Sequence, residues 1–180
     1  MEIVALIEQI LGDYWQRMER ALEGLTPAEL GWRPDAESNS IAFIVWHVAR
    51  VEDRWIQVFA QDIPDVWTKD GWHEKLGLSE DYDFVGLSVE QLGTFPAITK
   101  ENLDGYRHAV QNKTQAYLKN LDADGLDFVP GRTPTPERPG SLERHGSFSI
   151  GRMFRQTLAE YNQHLGQVSY IRGIQRGLDK

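Results

Sequence analysis

Apolar residues recur at helical spacing in four long stretches of this chain. Polar segments broken by proline and glycine separate them. Residues 3–23 place Ile3, Ile7, Ile10, Leu11, Tyr14, Met18 and Leu22 on one face and charges on the others, which predicts an amphipathic helix. Gly24 follows where a helix end favours a left-handed residue. Thr26, Pro27 and Glu29 make a capping-box pattern for a short turn. Ser38, Asn39 and Ser40 offer N-caps for a second helix over 41–60. Its inward stripe reads Ile44, His47, Val48, Val51, Trp55 and Val58, with Arg50, Glu52, Asp53 and Arg54 mostly outside it. Thr99 caps a third helix over 100–121, whose stripe includes Leu103, Tyr106, Val110, Tyr117 and Leu118. Ser147 or Ser149 caps a fourth over 150–176, with Phe154, Tyr161, Val168 and Ile171 inward and a tail that frays after Gly173 or Gly177.

Two connections lack any sustained period. Residues 61–98 are interrupted by Pro64, Gly71, Gly77, Gly86, Gly93 and Pro96, leaving room for short helical turns near 71–76 and 88–92. Residues 122–148 carry four prolines, with brief extended pieces expected at 128–129 and 143–147. Four long helices with two long links predict an all-α fold. It is a single domain over 1–180, a four-helix bundle with long loops between helices 2 and 3 and between helices 3 and 4.

Composition narrows the function. The chain is 41% hydrophobic and 26% charged with a net charge of −8, which argues against nucleic-acid or anionic-membrane partners because both need a positive field. Cysteine is absent, so disulfides and thiolate metal sites are excluded, and any metal must be held by His and carboxylates, a set suited to Zn, Ni, Mn or Fe. The acidic, amphipathic N-terminus does not read as a signal peptide and no apolar run reaches membrane-spanning length, so the expected location is cytoplasmic.

Three polar groups are sent inward by helical periodicity: His47, Glu160 and His164. Glu160 and His164 are four apart, on one face and one turn from each other. Together the three match a 2-His-1-carboxylate ligand set, which leaves coordination positions open for water or substrate. Hydrogen-bonded core groups are the other reading of the same pattern. His73, His108 and His145 read as surface residues, with His145 also able to approach the open end of the bundle. Glu52 and Asp53 read as solvated helix charges, or else as partners holding the His47 ring. The tryptophans around the second helix, Trp32, Trp46, Trp55, Trp67 and Trp72, read as packing groups. No residue is assigned as catalytic, and no phosphate loop, nucleotide fingerprint or nucleophile elbow is present.

The run Asn39–Ser40–Ile41 through Trp46–His47–Val48–Ala49–Arg50 resembles the second-helix signature of the DinB-like superfamily. His164–Leu165–Gly166–Gln167 with Arg172 resembles its fourth-helix signature, and the connector from Leu25 to Pro34 is similar too. The resemblance implies an up-down-down-up bundle, often homodimeric, with a metal held by three histidines. By position these fall on His47, Glu160 and His164, so Glu160 stands where the family has histidine. It also implies a link to enzymes that use a low-molecular-weight thiol, the bacillithiol and mycothiol enzymes, acting on a small-molecule substrate. The family name implies no DNA binding. Two outcomes follow: a metal-dependent thiol transferase or hydrolase-like enzyme, or a non-catalytic helical dimer or small-molecule binder with a degenerate site.

Overall fold

The computed structural model describes residues 2–177. The described residues are helical with no strand. The first long helix, α1, spans Ile3–Leu22 and buries Ile7, Leu11, Trp15, Met18 and Leu22, the stripe that its spacing dictates. Gly24 takes φ +70 just beyond its end, a conformation that favours glycine. A short helix α2, Pro27–Gly31, follows with the expected capping box between Thr26 and Glu29. Arg176 then grips Glu29 through Nε and Nη2 at 2.6 and 2.8 Å, and Arg172 donates to the carbonyls of Ala21 and Glu23. Arg172 thus ties the end of α1, and Arg176 ties α2, to the C-terminal part of the chain.

The next helix is the centre of the molecule. Helix α3, Ile41–Asp53, is capped by Ser40 and continues as a π-helical segment, Arg54–Gln61, that ends at Asp62 with φ 59. The wider turn of the π segment puts Trp55, Ile56, Gln57 and Phe59 inside together, which a 3.6-residue period over 41–60 does not predict. Short helices α4 (Val66–Lys69), α5 (Trp72–Leu76) and α6 (Val89–Gly93) interrupt the first long connection. Helix α7, Lys100–Leu118, is capped by Thr99, and the second connection carries a 3₁₀ turn at Asp124–Asp127 and helix α8, Ser141–His145. The extended piece expected at 143–147 is instead helix through His145 and turn at 146–147. The last helix, α9, runs Ile150–Arg176 from a Ser149 cap. The fraying expected after Gly173 does not occur, since α9 stays helical to Arg176, and residues beyond Gly177, the other place expected to fray, lie outside the described residues. Helix α3 packs against α7 and α9, and α1 packs against the same pair. No described helix is long and apolar enough to cross a membrane.

The charges expected outside the α3 stripe are in fact buried. Arg50 is 4% exposed, and Glu52 and Asp53 are both fully inaccessible. Neither carboxylate approaches His47, so they are neither solvated nor partners of its ring. Glu52 accepts from Trp15 Nε1 of α1 at 3.3 Å, from the Thr114 hydroxyl of α7, and from the Tyr161 hydroxyl of α9 at 2.5 Å. One carboxylate on α3 thereby ties all the other long helices. Asp53 accepts from the backbone N–H of Val66 and Trp67 at 2.9 and 3.0 Å and from Tyr106 at 2.9 Å. Arg50 completes that network through Asp65 at 3.0 Å and lies over the Trp67 ring. The tryptophans Trp46, Trp55 and Trp67 are core, as their expected packing role requires, whereas Trp32 is 38% exposed. Periodicity treats every charge as a surface vote, and it fails here because each buried charge has its own partners. Tyr106→Phe removes a donor to a buried carboxylate, so urea unfolding should show a loss of about 2 kcal/mol.

Candidate metal centre

Helix α3 presents His47 and helix α9 presents Glu160 and His164 from successive turns. Each is only partly exposed, the side chains at 13%, 24% and 12% respectively. Packing α3 on α9 closes the gap between them: Glu160 Oε2 lies 3.7 Å from His47 Nε2 and 3.2 Å from His164 Nε2. One ligand atom from each residue falls within 4.8 Å of the others. The three residues singled out by periodicity thus share one place, at the edge of the core rather than deep in it.

The outer nitrogens decide what faces inward. His47 Nδ1 is 2.6 Å from the Phe84 carbonyl, an acceptor with no proton to give, so Nδ1 carries the hydrogen. His164 Nδ1 is 2.7 Å from Gln167 Oε1, which sets the same tautomer. In neutral imidazoles both Nε2 atoms then present lone pairs to a carboxylate oxygen. Three acceptors facing one another within 4.8 Å need a cation between them. A proton can serve, giving an imidazolium paired with Glu160, and a divalent metal ion fits the same donors. The His164 hydrogen bond and then that of His47 hold the Glu160 carboxyl well below the usual carboxylate range, so it stays an anionic ligand at neutral pH. Gln156 Nε2 donates to its other oxygen at 3.4 Å. Phe43 stacks on the His47 ring at 6.1 Å between centroids.

The centre opens on space. A cavity of about 560 Å³ has His47 and Glu160 in its wall together with Val51, Trp55, Phe84 and Phe148. A smaller recess of about 300 Å³ reaches His47 and His164, with Phe84 as a shared wall. Of the histidines read as surface groups, His108 is exposed beside Glu19, while His73 is half-buried near Trp67. His145 is different: it is half-buried, edge-on to Trp55 and Phe148, and it lines the larger cavity. Burial, with Arg144 adding to it, pushes its pKa down. The Phe84 carbonyl had no signature in the sequence, because any residue supplies a carbonyl. The place of His145 at the cavity matches the expectation that it approaches the open end of the bundle, whereas Thr135 and Ser141 beside it had no signature, since the second connection has no periodicity to aim its side chains.

A family model described as the DinB superfamily matches residues 11–168. A solved structure, that of a conserved protein from Enterococcus faecalis, is similar in fold, with a TM-score of 0.80 at 23% identity over 97% of each chain. A search of curated proteins finds no match.

Proposed function

The chain belongs to the DinB superfamily, and from that premise we propose that it is a metal-dependent enzyme whose divalent ion is held by His47, Glu160 and His164. The observation that carries this reading is the convergence of two imidazole Nε2 atoms on a carboxylate while both Nδ1 atoms are committed elsewhere. The ion is Zn, Ni, Mn or Fe, the set such ligands accept. When bound, it supplies a thiol or water of lowered pKa as nucleophile at neutral pH. Because the chain has no cysteine, a thiol must come from outside, and the activity we assign is transfer of a low-molecular-weight thiol to a small molecule. We read the long helices as an up-down-down-up bundle, and the protein as a cytoplasmic homodimer.

The chain's own residues prepare the reaction. The Phe84 carbonyl and Gln167 fix both rings with Nε2 inward before any ligand arrives. Phe43, Phe84 and Trp55 wall the site with carbon and keep bulk water from its inner side. Equilibrium dialysis against zinc followed by metal analysis tests the reading. About one ion per chain is expected, as for a single three-ligand site, with its loss in His164→Ala. A protein that retains no divalent metal under metal-replete conditions overturns it.

A further inference from the structure

The cavity beside His47 and Glu160 has a second polar pole, made by residues of the second long connection. Thr133, Thr135 and Ser141 are all buried, and their hydroxyls meet: both threonine Oγ1 atoms contact Ser141 Oγ, that of Thr135 at 2.5 Å. Ser141 Oγ in turn lies 3.2 Å from His145 Nδ1. A proton count orders the cluster. If each threonine donates to Ser141, the serine's lone pairs are filled and its own hydrogen goes to Nδ1. His145 then carries its proton on Nε2, which makes no hydrogen bond among the described residues. Its lowered pKa is consistent with that neutral form.

The residues lining this end include three arginines, two of them matched by carboxylates. The cavity wall holds Arg54, Arg138 and Arg144 against the single carboxylate Glu160. Arg54 is neutralised by Asp65 and Glu137, and Arg138 by Asp83. The Arg144 guanidinium has no hydrogen bond or ion pair among the described residues. Between the poles lie carbon walls, with Trp55 and Phe148 stacked at 6.0 Å between centroids. A cavity of about 560 Å³ is within the range that holds a small organic molecule.

We propose that this cavity binds a small organic anion with an apolar body. Its acidic group sits at Arg144 and His145 Nε2, with Ser141 holding the His145 tautomer, and its body lies along Trp55 and Phe148 toward Glu160. The role of that anion as a substrate rests on the metal-centre reading; its binding does not. An unpaired guanidinium with a neutral N–H donor beside it recognises an oxyanion through charge-assisted hydrogen bonds, which a neutral analogue cannot make.

The test uses 4-phenylbutyrate and 4-phenylbutan-1-ol as probes, titrated calorimetrically into metal-free and zinc-loaded protein. The carboxylate is expected to bind metal-free protein about tenfold more tightly than the alcohol. In Arg144→Gln that preference disappears while affinity for the alcohol is kept. Arg144 is exposed, so the exchange leaves the core untouched, which circular dichroism verifies. Ser141→Ala should weaken the carboxylate alone. Equal affinities for the two probes, or a preference that Arg144→Gln leaves intact, overturn the proposal. Carboxylate binding that needs zinc and ignores Arg144→Gln also overturns it, yet supports the metal centre. Arg144-dependent preference in a protein that takes up no zinc upholds it and sinks the metal reading instead.

Discussion

Alanine at position 52 is expected to cost this protein about 3–5 kcal/mol of folding free energy at pH 5. Glu52 is fully buried and joins α3 to α1, α7 and α9 through Trp15, Thr114 and Tyr161. Its removal leaves the Trp15 indole and the Tyr161 hydroxyl without an acceptor and opens a cavity between helices, whereas Thr114 can still turn to the Val110 carbonyl at 3.3 Å. The same carboxylate makes stability depend on pH. Burial pushes its pKa from 4.5 to about 7. The folded protein therefore keeps this proton up to about pH 7, while the unfolded chain releases it near 4.5. Between those values the native state holds more protons, so stability falls as pH rises and levels off above 7, a loss of about 3 kcal/mol.

Glu52→Gln separates the two effects. The amide keeps the shape and an acceptor for Tyr161 and Trp15, and Thr114 can accept its N–H while donating to Val110. Urea midpoints at pH 5.5 and 7.5 should fall with pH in the parent and much less in the glutamine variant. A remaining slope below pH 6 belongs to Asp53, which burial pushes to about 6. A parent equally stable at both pH values removes this account of Glu52.

Glu160→Ala is expected to lower zinc affinity by a factor of about 100 or more, exceeding the loss typical of a ligand's supporting partner. The substitution takes away one of three ligands and the only negative charge among them. Glu160→His should restore tight binding, since α9 already places position 160 one turn from His164 and facing His47. It should also shift preference from Mn toward Ni and Zn, because imidazole is the softer donor. Competition against a chromophoric chelator reads both effects. If Glu160→Ala keeps the parental affinity, the ion lies elsewhere. If only the histidine variant binds, the parent site is a relic in which Glu160 serves as an ion-pair partner.

Much of this arrangement is legible residue by residue. The apolar spacing of α1, α3, α7 and α9 marks the long helices because a 3.6-residue period can bury only one face. Ser40, Thr99 and Ser149 mark their starts because each side chain accepts a backbone N–H that the first turn leaves free. The inward positions of His47, Glu160 and His164 follow from the same period. What periodicity misplaces is Arg50, Glu52 and Asp53, whose burial depends on hydrogen-bond and ion-pair partners 13 to 109 residues away.

The sequence by itself determined the four long helices, the caps of the last three of them and the three polar residues on core-facing stripes, since these follow from local geometry repeated along the chain. Only the tertiary structure decided that Phe84 and Gln167 hold both rings with Nε2 toward Glu160. It alone decided that His145 and Ser141 face the same cavity, and that Glu52 binds the long helices instead of serving the site. The physical reason is common to all of these. Hydrogen bonds and charge compensation act over a few ångströms in space, and partners far apart in sequence meet only after the chain has folded.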